Sequence, residues 1–183
     1  AVTYYYEEQG LSALFRPINR LDKDTSGLIL IGKNKFAHQA VFQQQKKGTV
    51  KREYKAIVEG IVEENNGRIE APIALKDPEL RERIVDASGA PAITNYTVVE
   101  RFPRHSLLEL RLETGRTHQI RVHLAHIGYP IVGDTLYGQP SPLISRQALH
   151  AFRLAFTQPK AGQLLTFEAP LPEDMAKLLD SVK

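Results

Sequence analysis

The chain has 183 residues, no cysteine, 24 Lys and Arg against 21 Asp and Glu, and a net charge of +3. That length suits one domain able to bury a sizeable core, and the missing cysteines exclude disulfides, thiolate nucleophiles and cysteine-based zinc sites. The mildly basic balance is uneven: residues 1–55 carry ten Lys and Arg against five Asp and Glu, whereas residues 56–110 carry six against ten.

In chain order, Tyr4–Leu14 reads as a short helix, and Gly27–Gly32 as a buried strand between glycines. Asn34 is placed to cap a helix with Phe36, Ala37, Ala40 and Val41 at helical spacing, which Gly48 closes. Arg52–Glu59 alternates, with Tyr54, Ala56 and Val58 on one face, as a half-buried strand does. Residues 68–113 are mostly strands, and Ala92–Arg101 and Ser106–Glu113 form a hairpin with Leu108, Leu110 and Leu112 at period two. Thr117 is expected to cap a helix bearing Ile120, Leu124 and Ile127, which ends at Gly128 and Pro130. Gln147–Phe156 and Gln163–Ala169 pair across Lys160-Ala161-Gly162, and Glu173–Val182 turns Leu178, Leu179 and Val182 inward. Strands outnumber helices and pair mainly through hairpins, so the fold class is α+β: a mixed, mostly antiparallel sheet with flanking helices and loops. No linker or repeat divides the chain, so residues 1–183 form a single domain.

Three local matches fail on chemistry. Gly27 to Lys33 has the spacing of a phosphate-binding loop, but Leu, Ile, Leu and Ile fill it and Asn34 stands where Ser or Thr should follow. Asn95-Tyr96-Thr97 fits a glycosylation acceptor in a chain with no sign of secretion. His118 and His123 would lie about 140° apart around a helix, so they do not converge on a metal. His123 and His126 share a face without a carboxylate beside them, and no metal site is assigned.

Two segments are denser in functional groups. Arg16 to Asn34 gathers Asn19, Arg20, Asp22, Asp24, Thr25 and Ser26 directly before an apolar run, although each of the last four also suits a turn that bonds its own backbone. Gly115 to Leu124 puts Thr117, His118 and Arg121 on one polar face, where an arginine could keep a carboxylate ionised or simply form a surface pair.

Together, Asn19-Arg20-Leu21-Asp22-Lys23-Asp24-Thr25-Ser26-Gly27, Lys51-Arg52-Glu53-Tyr54-Lys55-Ala56 and Gly115-Arg116-Thr117-His118-Gln119-Ile120-Arg121-Val122-His123 resemble the RluA-type pseudouridine synthase family in order and separation. Gly133-Asp134-Thr135-Leu136-Tyr137-Gly138 and Leu149-His150-Ala151 echo it further. The resemblance implies an RNA-modifying isomerase that flips a uridine out of its stack and needs no cofactor, and with no cysteine and no export signal the chain is expected to be cytoplasmic, and to act as a monomer. By the same resemblance Asp22 is the catalytic carboxylate, Tyr54 stacks on the base, and Arg121 pairs with Asp22. Arg20 enters the space left by the flipped nucleotide, and Arg116, His118 and Gln119 complete the RNA-binding set. Asp24 has no counterpart role and is read as a turn residue. Family members open this domain with a strand and a Lys-Pro turn, and many carry a small N-terminal RNA-binding domain. Residues 1–183 show neither, so the chain is expected to lack them, and most relatives have His at the position of Asn19.

The alternatives are a catalytically silent RNA binder, which has no use for Asp22, Tyr54 and Arg121 together, and a hydrolase built on Asp22 with Asp24 or on the histidines.

Overall fold

The computed structural model describes residues 2–11 and 14–183. A central sheet runs in the order β1-β8-β2-β7-β6-β3, and β9 adds to β8. Its strands are β1 (Ser26–Gly27), β2 (Lys51–Glu59), β3 (Asn66–Glu70), β6 (Ile93–Arg101), β7 (His105–Leu112), β8 (Leu149–Thr157) and β9 (Leu164–Glu168). β4 (Ile73–Asp77) and β5 (Glu82–Val85) make a separate antiparallel hairpin. Every named strand pair is antiparallel except β1 with β8, so the architecture is the mixed, mostly antiparallel α+β arrangement expected. β1 and β9 share one edge of β8, β1 pairing with His150 and Ala151 and β9 with Arg153 to Thr157.

The helices are α1 (Val2–Glu8), α2 (Lys35–Lys46), α3 (Gln119–His126) and α4 (Glu173–Val182). Asn34 caps α2 as expected, its side-chain oxygen accepting from the Ala37 amide at 2.8 Å. α1 is shorter than the expected Tyr4–Leu14: the chain turns at Gly10, whose φ of 62° is left-handed, and residues 12 and 13 of that expectation lie outside the described set. The expected strand Gly27–Gly32 is also corrected. Only Ser26 and Gly27 join the sheet; Leu28 to Leu30 leave it and are not fully buried. Asn19 replaces a strand neighbour there, its side chain accepting from the Leu30 amide at 2.7 Å.

β2 does not alternate as a half-buried strand would. Ala56, Ile57 and Val58 are all fully buried, because the strand lies between β8 and β7 with both faces covered. Its Ile57 joins Leu108 and Leu110 of β7, Ile120 and Leu124 of α3, and Met175, Leu178 and Val182 of α4 in the main core. A smaller cluster of Ile18, Val41, Val50, Leu154 and Phe156 ties α2 to the sheet edge and to the segment entering the Asp22 turn. That turn and the start of α3 are therefore each docked on rigid elements.

Candidate active site

Asp22 sits on a turn between Ile18, buried in the smaller cluster, and the two-residue strand β1. The Thr25 amide donates to the Asp22 carbonyl at 3.0 Å, and Asp24 takes a left-handed φ of 66°, a conformation Asp tolerates better than most residues. This agrees with Asp24 as a turn residue. At Gly27, φ is 117° and a Cβ would stand 2.6 Å from the Ala151 amide nitrogen, so only glycine lets the turn run into its parallel pairing with β8.

The turn forms one wall of a cavity of about 340 Å³. Tyr54 of β2 lines it, as do Arg20, Arg52 and Arg116, so three arginines share the cavity with Asp22. Tyr54 is 6% exposed. Its burial pushes the phenol up from 10.0; the Arg52 charge pulls it back and the Asp22 charge pushes it further up. A carboxylate, an aromatic ring and cationic side chains thus meet from segments far apart in sequence.

Arg121 does not make the contact expected of it. Its guanidinium is gripped by Asp134, Nε donating to Oδ2 and an Nη to Oδ1, both at 2.7 Å. Asp134 is fully buried and also accepts from the Leu136 and Tyr137 amides. Burial pulls the Arg121 pKa down, but the Asp134 hydrogen bonds and charge, with the charge of Asp22 behind them, leave it raised. Asp22 therefore acts on Arg121 through its field rather than as its hydrogen-bonded partner. The Tyr137 ring lies under the Arg121 guanidinium, 4.9 Å from its centroid.

The other residues of this segment divide by exposure. Arg20 and Arg116 are exposed at the cavity, and Arg116 Nε donates to the Pro91 carbonyl at 3.0 Å. His118, not Thr117, occupies the N-cap position of α3, with a left-handed φ of 56° and no side-chain cap bond. Its Nδ1 is 2.8 Å from the Tyr137 hydroxyl. Desolvation lowers its pKa below 6.5, the charge of Asp22 opposing and that of Arg121 reinforcing the shift.

Gln119 is placed inside the protein rather than toward RNA. Its oxygen accepts from the Thr114 hydroxyl and the Arg116 amide at 2.8 and 2.9 Å, and its nitrogen donates to Ile93 O and Thr94 Oγ1 at 2.9 and 3.1 Å. An amide side chain offers two acceptor and two donor positions, and all four are filled. Gln119 therefore shapes the Gly115–Arg116 turn that lines the cavity. His123 is likewise occupied, Nδ1 at 2.9 Å from the Thr94 hydroxyl and Nε2 at 2.9 Å from Ala71 O.

Three side chains at the site are not singled out by the sequence. Asp134 and Tyr137 belong to the Gly133–Gly138 echo, but nothing local showed that a buried carboxylate there would meet Arg121. Arg52 stands two residues before Tyr54 in the same motif. Its Nε is buried with no hydrogen-bond partner among the described residues, and a Cβ at Gly115 would be 2.9 Å from an Nη of its guanidinium. Gly115 is the space Arg52 occupies.

A family model described as RNA pseudouridylate synthase matches residues 2–126, which include Asp22, Tyr54 and Arg121. The chain belongs to the RNA pseudouridylate synthase family. It is 44% identical over 177 residues to the Uncharacterized RNA pseudouridine synthase YlyB of Bacillus subtilis, covering 95% of this chain and 58% of that protein. It is 46% identical over 176 residues to Ribosomal large subunit pseudouridine synthase D of Nitrosomonas europaea, covering 91% of this chain and 51% of that one. Among solved structures, Human RNA Pseudouridylate Synthase Domain Containing 1 superposes with a TM-score of 0.75 at 27% identity, over 92% of this chain and 80% of that one. The chain spans just over half the length of the two bacterial relatives. The likeness read from the three motifs is thus a family relationship that extends over more than nine-tenths of this chain. No described helix is long and apolar enough to cross a membrane.

Proposed function

We propose that this chain isomerises uridine to pseudouridine in RNA, with Asp22 as the reacting carboxylate. The observation that carries the reading is the meeting of Asp22 and Tyr54 at one cavity, within the electrostatic reach of Arg121. Uridine must leave its stack to enter such a cavity, at a cost of a few kcal/mol. Stacking on the face of Tyr54 returns roughly 1–3 kcal/mol of that. Arg20, exposed at the mouth, fills the vacated space, and Arg116, exposed at the same cavity, serves RNA binding together with His118. RNA is the partner, the chain acts as a monomer, and the cytoplasm is its compartment.

In the reaction the N1–C1′ bond breaks and a C5–C1′ bond forms. The proton on C5 leaves, and N1 takes up a proton. Asp22 attacks the sugar or the base, or assists cleavage, and must be ionised to do so. Arg121, held in place by Asp134, supplies a fixed positive field beside it. Atoms and electrons balance without an oxidant or a nucleotide triphosphate.

Because C5 loses its hydrogen, tritium placed at C5 of uridine is released to water as the product forms. Bulk RNA from cells lacking the gene, labelled in this way, is the substrate for the test. The wild type is expected to release tritium, and Asp22→Asn to lower the rate by on the order of 10⁴-fold at unchanged thermal stability. Equal release by both would remove Asp22 from the chemistry, and no release by either would favour a silent RNA binder.

A further inference from the structure

The Asp22 side chain makes no hydrogen bond to any described residue, so its aim is set by its backbone alone. That backbone is held from a distance. Gln147, buried just before β8, donates from Nε2 to the Lys23 carbonyl at 2.6 Å and to the Thr25 hydroxyl at 3.1 Å. Arg146 donates from one Nη to the Asp24 carbonyl at 3.0 Å and from the other to the Ser26 hydroxyl at 3.3 Å. His150 Nδ1 lies 2.9 Å from the same Ser26 hydroxyl. Every residue between Asp22 and Gly27 is thus tied to residues 146–150, and the left-handed Asp24 is among them.

Arg146 is itself aimed. Its Nε and an Nη form a fork onto the Asp174 carboxylate at 2.7 and 2.9 Å. Asp174 is the second residue of α4, whose Met175, Leu178 and Val182 are seated in the main core. The line of contact therefore runs from the core through α4, Asp174 and Arg146 to the turn that carries Asp22.

We infer that Arg146 and Gln147, with Asp174 behind Arg146, are positioning residues that fix the reacting carboxylate and couple the C-terminal helix to the site. The inference rests on the reading of Asp22 given above. A planar fork with donors on both edges is needed to hold Asp174 and two turn oxygens at once, and lysine cannot supply it. A misplacement of about 1 Å at a reacting group is enough to cost on the order of 100-fold in rate.

The test uses Arg146→Lys, Gln147→Ala and Asp174→Asn, read by hydrogen–deuterium exchange over residues 20–28 and by tritium release from the labelled bulk RNA. Exchange is expected to quicken at the Thr25 amide in all three variants and to stay unchanged over β6 and β7. For Arg146→Lys, kcat is expected to fall on the order of 100-fold with KM within about twofold, since the turn aims the carboxylate rather than the RNA. If Arg146→Lys does not fold, Asp174→Asn decides, because that carboxylate is 42% exposed and its loss leaves the core intact. Unchanged exchange over residues 20–28 overturns the inference whether or not the wild type turns over. Quickened exchange beside a wild type that releases no tritium keeps the clamp and removes the role of Asp22 instead.

Discussion

The turn that carries Asp22 and the segment that opens α3 are equally rich in polar residues, and the fold uses them in opposite ways. In the turn, the backbone is tied down by Arg146 and Gln147 while the Asp22 carboxylate stays without a hydrogen-bonded partner among the described residues. At α3 the side chains are the ties: Gln119 and His123 fill their hydrogen-bonding positions within the protein, and Arg121 is forked onto Asp134. A polar cluster thus presents chemistry when its neighbours hold its backbone, and builds scaffold when its own side chains do the holding. The burial agrees, with Asp22 half-buried at a cavity and Gln119, Arg121 and His123 all buried.

The sharpest way to break this contrast is at the buried pair. Asp134→Asn keeps the shape of the side chain but leaves Arg121 as an uncompensated buried cation, which is expected to cost about 3–5 kcal/mol. Urea unfolding would measure it as a lower midpoint at unchanged slope. The double variant Arg121→Met/Asp134→Leu separates packing from charge. Replacing a buried ion pair by apolar side chains of similar volume is often neutral, so stability should return while tritium release does not. Recovery of both would mean that Arg121 is scaffold only, like Gln119.

Much of this was legible in the sequence, for reasons particular to each element. β7 reads correctly because Leu108, Leu110 and Leu112 follow the pleat, and α2 because Asn34 has the chemistry of a cap. Gly27–Gly32 departs from the expected strand because an apolar run between glycines does not reveal that the sheet edge beside it is shared with β9. For the site, the motifs carrying Asp22, Tyr54 and Arg20 located the cavity wall, but partnership was beyond them. The grip of Asp134 on Arg121 and of Arg146 on the turn depends on which loops the tertiary fold brings together. Gln119 lay in the right motif, and only its four filled hydrogen-bond positions show what it does there.

The Gln119 network offers a smaller effect in the same frame. Gln119→Leu removes a side chain that satisfies Ile93 O, Thr94 Oγ1, Thr114 Oγ1 and the Arg116 amide. Groups left unsatisfied in buried surroundings cost about 1–3 kcal/mol, so a loss in that range is expected by urea unfolding. Because the Gly115–Arg116 turn shapes one side of the cavity, the apparent KM for labelled RNA should rise more than kcat falls. A fall in kcat alone would place Gln119 with Asp22 rather than with the scaffold.

The mildest test is acid, and it reports on His123. Burial lowers its pKa below 6.5; the bond to Ala71 opposes the shift and the charge of His126 adds to it. Its two nitrogens face the Thr94 hydroxyl and the Ala71 carbonyl, so the neutral ring, donating from Nε2 and accepting at Nδ1, satisfies both. His118 and His150 are also lowered, chiefly by desolvation. In each case the unfolded chain binds a proton more readily than the folded one. The stability that comes from keeping these rings neutral is therefore complete above 6.5 and declines as pH falls from there toward the folded values. The slope from one such histidine is at most about 1.4 kcal/mol per pH unit. His123→Gln, which can still donate and accept but does not titrate, should flatten the pH dependence of the urea midpoint between pH 7 and 5 by one histidine's share. An unchanged slope in that variant would mean that His123 takes up its proton in the fold, and that the scaffold around α3 is looser than its hydrogen bonds indicate.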